Sequence, residues 1–199
     1  MSKTKLDTEV RQEQIAEAAL MLVHTHGIKA LSIGRIAMSV GLAPSALYRH
    51  FKDKSAILDA VLMQIRIQLF GLVDSVCKEH EAPLERLQHL LRRHIMFVQQ
   101  FQALPRILFS DQVYTGNPAR KARIHETIME YLGRIAAIVK DGQHEGSIRA
   151  DLDPGTVSVM FLGLFQPTAM LWFLSDGGFD TTKHIDRAWR VFLEGIRSK

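Results

Sequence analysis

The stretch Leu42-Ala43-Pro44-Ser45-Ala46-Leu47-Tyr48-Arg49-His50-Phe51-Lys52-Asp53-Lys54 decides the reading of this chain. Gly41 breaks the segment before it, and Pro44, whose ring presets φ near the helical value, suits the first turn of a new helix. Ala46, Leu47 and Phe51 then share an inward face, which leaves Tyr48, Arg49 and His50 largely outward. Asp53 fits the cap of a further helix, so Lys54 falls at a helix N-terminus, where backbone N–H groups favour a phosphate.

Reading leftward, Ile15, Ala18, Ala19, Leu22 and Val23 recur with the spacing of one apolar helical stripe. Gly27 ends that helix in the left-handed conformation open to a residue without Cβ. Ser32 caps the next helix with its hydroxyl, and Leu31 packs on Ile36 as a hydrophobic staple. Ile33, Ile36, Ala37 and Val40 form the buried side of this short helix. Two short helices joined by a tight glycine-containing turn, the second with aromatic, cationic and hydroxyl groups outward, make a helix-turn-helix. Such a unit suits a major groove about 12 Å wide, so double-stranded DNA is the first expected partner.

From about Val10 to Val61 the chain resembles the DNA-binding domain of the TetR/AcrR family of bacterial transcriptional regulators. The resemblance rests on the helix 1 stripe, Gly27, the Ser32 cap, Ile36-Ala37, Val40-Gly41 and Leu47-Tyr48-Arg49-His50-Phe51 followed by Lys54. It implies that Pro44, Ser45, Tyr48, Arg49 and His50 lie on the recognition helix and that Lys54 touches phosphate. Ala43 stands where the family often has a Ser or Thr cap, and Gly34 where a longer side chain often reaches DNA, so helix 2 is expected to read few bases.

Charge agrees with a nucleic-acid partner. Eight basic and five acidic side chains leave residues 1–54 with +3 of the chain's +4. Cys77 is the single cysteine, so no internal disulfide forms, which fits a reducing cytosol; at its helical spacing it reads as a small buried hydrophobe. Met1-Ser2-Lys3-Thr4-Lys5 lacks the apolar core of a signal peptide. The longest apolar run, Val157 to Leu174, is interrupted by Ser158, Gly163, Gln166, Pro167 and Thr168, which argues against a membrane span.

Beyond Lys54 the pattern is helix after helix, and the fold class is all-α: a helix-turn-helix domain over residues 1–54, then a bundle over residues 55–199. Ile57, Leu58, Val61, Leu62, Ile65, Leu69, Leu72, Val73 and Val76 form one long connecting stripe. Leu84, Leu87, Leu91, Ile95 and Val98 describe the next helix, and a short helical piece is expected through Tyr114. Asn117 and Pro118 fit a cap and first turn, ahead of a helix on Ile124, Ile128, Leu132, Ile135 and Val139. The helix from about Pro154 to Ser175 is apolar nearly all round and must be covered on every side, with Pro167 expected to kink or break it. The last helix offers Ile185, Ala188, Trp189, Phe192 and Ile196, and two such helices from each of two chains would make a four-helix dimer interface.

No enzyme constellation emerges. His24 and His26 lie at a helix end, His89 and His94 are five apart, His125-Glu126 has no second histidine at metalloprotease spacing, and Asp141 with His144 is too little for a metal. No cofactor or metal is expected. The bundle resembles the family's ligand-binding and dimerisation domain, and its aromatic and Met content, at Met96, Phe97, Phe101, Phe109, Tyr131, Phe165 and Trp172, suits an apolar or amphipathic effector, with Gln166 beside Pro167 as a polar group. The reading is therefore a cytoplasmic, homodimeric DNA-binding regulator, a repressor released from a palindromic operator by a small effector. The alternatives are a structural DNA-binding protein with a protein partner and no ligand, or a helical small-molecule carrier or enzyme.

Overall fold

The computed structural model describes residues 3–27, 30–100 and 117–198. Among them are eight helices: α1 (Lys3–His26), α2 (Ile33–Ser39), α3 (Pro44–Leu47), α4 (Lys54–Glu79), α5 (Pro83–Gln100), α6 (Pro118–His144), α7 (Pro154–Leu174) and α8 (Thr181–Ile196). The sole β feature among the described residues is a bridge between Ile148 and Arg197. The all-α expectation is therefore met. The short helical piece expected before Tyr114, with Phe101 and Phe109, lies outside the described residues.

Two compact units divide the chain. The first contains α1, α2, α3, α4 to Gln68 and the start of α6 to Lys121. This first unit runs past Lys54, which opens α4 as expected. In it, α1 buries Ile15, Ala16, Ala19, Leu20 and Val23. That face is rotated from the expected stripe, since Ala16 and Leu20 are interior while Ala18 and Leu22 are half-buried. The alanines and leucines of this helix allow either face by spacing, and the packing of Leu31, Ile36, Ala37 and Leu47 beneath it selects one. Gly27 closes α1 at φ 77°, its N–H donating to the Val23 carbonyl at 2.9 Å, as its lack of Cβ allows.

The second unit is a bundle of the C-terminal part of α4, α5, most of α6, α7 and α8. One continuous core joins Phe70, Val73 and Val76 of α4, Leu87, Leu90, Leu91 and Ile95 of α5, Tyr131, Ile135 and Val139 of α6, Phe161 and Phe165 of α7, and Trp189 and Phe192 of α8. Cys77 packs against it, and burial pushes its thiol pKa up, as expected of a structural cysteine. The turn after α6 is tight. A Cβ on Gly142 would come within 2.5 Å of Ile148 Cδ1, and the Gly142 carbonyl accepts from both Ser147 and Ile148 N–H at 2.9 Å. The C-terminus is tied to this turn by Arg149 N–H donating to the Ile196 carbonyl at 2.9 Å.

Three expectations are corrected. First, α7 is neither broken nor ended at Pro167 but continues to Leu174. The proline is exposed, so the missing hydrogen bond falls on the outer side of the helix, where solvent can satisfy the freed Gly163 carbonyl. Second, Ile185, Trp189, Phe192 and Ile196 do not form an outward interface; all four are buried within their own chain. Third, α7 is not covered on every side within its own chain: Val159, Met160, Met170, Leu171 and Leu174 are all about half exposed or more. A helix apolar all round can give only one side to its own bundle. By length and composition α4 and α7 could each cross a bilayer. In α4, however, Asp59, Arg66 and Asp74 interrupt the apolar run, and in α7 Phe161, Phe165, Thr168 and Ala169 are buried in the bundle.

Trp189→Glu or Phe192→Glu places an unpaired charge in this core and is expected to cost about 3–5 kcal/mol, enough to unfold much of the protein. The exposed neighbour Arg190 should tolerate Ala within about 0.5 kcal/mol. Urea denaturation followed by circular dichroism measures both, and a folded, stable Trp189→Glu protein would place this stripe on the surface after all.

Candidate DNA interface and buried aromatic core

The DNA-facing candidates are set by what lies behind them. Ser32 opens α2, accepting from Arg35 N–H at 3.3 Å, while Leu31 and Ile36 are both buried, as the staple requires. Gly41 at φ 66° turns the chain, and α3 begins at Pro44 with Ala43 as a cap that offers no side-chain acceptor. The helix is only one turn long. It continues as tighter turns, with Arg49 N–H to the Ala46 carbonyl at 3.2 Å and His50 N–H to the Leu47 carbonyl at 2.9 Å. Leu47 is fully buried and Phe51 nearly so, and these two anchors hold the opposite side outward.

On that side Pro44, Ser45, Tyr48 and Arg49 are exposed, and Tyr48 has 55% of its surface free. An exposed tyrosine of this extent has little apolar support in its own chain, so packing does not account for its place. His50 is different. It is half-buried, its Nδ1 is buried with no partner among the described residues, and its carbonyl accepts from the Gln12 side chain at 3.0 Å. Lys54 is exposed in the first turn of α4, which Asp53 caps by accepting from Ala56 N–H at 2.7 Å. Gly34 lies in open space on α2 and presents no side chain to a groove.

The first turn of α4 is also clamped by a residue that sequence reasoning missed. Arg120, almost wholly buried, donates from Nε to Asp59 Oδ1 at 2.7 Å and from Nη2 to the Ser55 carbonyl at 3.1 Å, with a further short bond from Nη2 to the Ser55 hydroxyl. Asn117 caps the helix that carries it, accepting from Arg120 N–H at 2.9 Å. In sequence Arg120 belongs to the run Arg120-Lys121-Ala122-Arg123, which reads as a solvated face.

In the bundle a second group gathers around His94 of α5. Its Nδ1 lies 2.8 Å from the Tyr131 hydroxyl of α6, and its ring stacks on Phe165 of α7 with centroids 3.5 Å apart. Phe97 meets it edge-on at 6.3 Å. All four are buried. Burial drives the His94 pKa down to about 3 and the Tyr131 phenol up, so both are neutral at physiological pH. The expected effector residues Phe97, Tyr131 and Phe165 are thus brought together. Met96 and Gln166 are exposed, Gln166 on the outer side of α7 beside Pro167, and the Thr168 hydroxyl is used by the Leu164 carbonyl at 2.8 Å. Trp172 lies two turns beyond Phe165, half-buried against Gly177. Phe101 and Phe109 lie outside the described residues. The sequence carries a signal for His94, since it falls within the stripe of Leu87, Leu91, Ile95 and Val98, a position facing the core.

Among the described residues no group of three or more His, Cys, Asp or Glu side chains is arranged to hold a metal. Asp141 instead pairs with Arg86 at 3.1 Å.

A helix-turn-helix with an exposed edge, in a chain that continues into an all-helical bundle with a buried aromatic core, defines a DNA-binding regulator. Residues 15–61 match the family described as "Bacterial regulatory proteins, tetR family", and residues 80–196 match the "Tetracyclin repressor-like, C-terminal domain". The chain belongs to the TetR family of transcriptional regulators. It is 23% identical to the fatty acid metabolism regulator protein of Bacillus subtilis, over 94% of this chain and 95% of that one. It is also 23% identical to the nucleoid occlusion factor SlmA of Vibrio atlanticus, over 94% and 96% respectively. Among solved structures, FadR of Bacillus subtilis in complex with stearoyl-CoA superposes with a TM-score of 0.77 at 23% identity, covering 92% of this chain and 98% of that one. The ketosteroid regulator KstR2 of Mycobacterium tuberculosis gives 0.70 at 21%, covering 95% and 96%. At such identities the structural likeness is one of fold.

The buried histidine makes stability depend on pH with a definite sign. His94 in the unfolded chain takes up a proton near pH 6.5, whereas in the folded chain it stays neutral down to about pH 3. Its contribution is therefore complete above pH 6.5 and lost as the pH falls, at about 1.4 kcal/mol per pH unit over the window between. In urea titrations between about pH 6 and pH 4, His94→Gln should show a shallower loss of stability than the parent protein. Parallel curves would mean that His94 is solvated.

Proposed function

We propose that this protein is a homodimeric repressor that docks the exposed edge of α3 in the major groove at each half of a pseudo-palindromic operator and is released by an amphipathic effector bound in the helical bundle. The observation that carries it is the outward set Pro44, Ser45, Tyr48 and Arg49, held by the buried Leu47 and Phe51, with Lys54 at the capped start of α4. Tyr48 and Arg49 read base edges, while Lys54 and the half-buried His50 face phosphate. One recognition element spans only a few base pairs, so affinity and specificity need two copies about 34–36 Å apart. Release as the regulatory event is supported by the repressor-like description of the C-terminal domain, and the effector class by the fatty-acid and ketosteroid regulators among the similar proteins. The bundle core around His94, Tyr131, Phe97 and Phe165 is the seat assigned to it.

The similarity to a nucleoid occlusion factor supports a second reading, in which the protein binds DNA without a small ligand. The two differ in one measurement: whether an amphipathic compound lowers operator affinity.

Lys54→Ala is expected to weaken binding on all sequences by a similar factor and to reduce the salt slope by about one, whereas Tyr48→Ala or Arg49→Ala should relax sequence preference, costing about 1–3 kcal/mol on the operator. Fluorescence anisotropy over a salt series with specific and scrambled duplexes resolves the two patterns. Unchanged operator affinity in both Lys54→Ala and Tyr48→Ala would remove α3 and α4 from the interface.

The uncovered face of α7 is assigned to the partner copy, because a surface of Val159, Met160, Met170, Leu171 and Leu174 is more apolar than a monomer ordinarily leaves in water. Met170→Glu combined with Leu174→Glu should yield folded monomers by light scattering. A dimer unaffected by this pair would move the interface to another face.

A further inference from the structure

Among the described residues Arg120 is the single buried arginine or lysine, with 4% of its surface exposed. A guanidinium is costly to take out of water, and apolar residues of similar volume often serve packing as well. What the guanidinium adds is direction. Nε donates to Asp59 Oδ1 at 2.7 Å, and Nη2 donates to the Ser55 carbonyl at 3.1 Å and to the Ser55 hydroxyl. Ser55 and Asp59 stand four residues apart on α4, so one planar group grips both ends of the first turn along a single face.

We propose that Arg120 is a positioning residue for operator binding: it fixes the rotation and axial place of the first turn of α4, and so the point at which Lys54 meets phosphate. This rests on the reading of Lys54 as a phosphate contact. Arg120 is too deeply buried to meet DNA itself, and it acts through its neighbours. Lys54 directly precedes Ser55, about 100° around the helix, so the grip leaves the ammonium free while deciding where its stem begins. The exposed N–H groups at the capped start of α4 face the same way, and rigid backbone donors cannot follow a phosphate as a flexible lysine stem can. Ile57, Leu58 and Val61 are buried on the inner face of the same stretch, but apolar contact is non-directional and does not by itself set the roll of the helix.

The grip is itself anchored. Asn117 accepts from Arg120 N–H through its side chain at 2.9 Å and from Lys121 N–H through its carbonyl at 3.2 Å, which holds the first turn of α6 that presents the guanidinium. Asn117, Arg120, Ser55 and Asp59 all belong to the first compact unit, so the clamp is part of the DNA-binding half of the chain although Arg120 lies far beyond the helix-turn-helix in sequence.

The test uses the full-length protein and a duplex that the unmodified protein selects from a random-sequence library, with affinity measured by fluorescence anisotropy over a salt series. Arg120→Lys keeps the charge but cannot bond Ser55 and Asp59 from one plane. It is expected to lower the salt slope by about one, the loss expected of Lys54→Ala itself, and Lys54→Ala added to it should cost little more. Arg120→Gln combined with Asp59→Asn removes both charges together and should show the same reduced slope. Circular dichroism melting gives the folded fraction of each variant. A merely structural role lowers that fraction, which scales every affinity by one factor and leaves both the slope and the effect of Lys54→Ala unchanged. An unmoved slope in both Arg120 variants, or full additivity with Lys54→Ala, overturns the proposal while leaving DNA docking in place. If Lys54→Ala alone changes neither affinity nor slope, the phosphate contact falls and the role of Arg120 with it.

Discussion

The bundle depends on one constraint: α7 is apolar on nearly every face and must be kept from water. One side of it closes over α5 and α8, and Phe161 and Phe165 from that side join Leu91, Tyr131, Trp189 and Phe192 in a single core. Excluding water there gives the His94 imidazole its character, because desolvation keeps it neutral and raises the value of its hydrogen bond to Tyr131. The other side of α7 remains bare in a single chain, with Pro167 and Gln166 among its exposed residues. One physical fact, an apolar helix with too much surface for one chain to cover, thus underlies both the buried histidine inside and the assignment of a second copy outside.

In the first unit the governing relation is between a buried anchor and an exposed edge. Leu47 and Phe51 lie four residues apart and bury together, which obliges Tyr48 and Arg49 to face outward on a helix too short to be stable alone. Such a one-turn element holds its direction only because the residues before and after it are fixed. Gly41 supplies the turn at its start, and the Gln12 side chain grips the His50 carbonyl at its end. Arg120 then fixes the first turn of α4, next to Lys54, through bonds to Asp59 and Ser55. Buried and paired, this guanidinium fits a structural clamp, since losing either partner would leave a charge without compensation.

Much of this was legible in the residues. Caps and breakers act within a turn or two of themselves, so Ser32, Gly27, Gly41, Asp53, Asn117 and Pro118 marked their helix ends correctly before any packing was known. The outward set on α3 followed from spacing alone. The rotation of the α1 stripe did not, because Ala16 and Leu20 satisfy the same periodicity as Ala18 and Leu22 and only the partner helices choose between them. Trp189 and Phe192 were correctly read as an apolar stripe, yet spacing does not say whether a stripe meets its own chain or another.

By itself the sequence determined the helical class, the helix boundaries set by caps and prolines, and the side of α3 that faces outward, since all of these are decided by contacts within a few residues. Tertiary structure alone decided which of two apolar faces is covered, that Pro167 and Gln166 lie outside the core, and that His94, Tyr131 and Phe165 meet. Those outcomes depend on residues far apart in the chain, 37 positions in the case of His94 and Tyr131 and more for His94 and Phe165. Local spacing cannot specify which distant side chain will remove a group from water, and here that removal gives the group its chemistry.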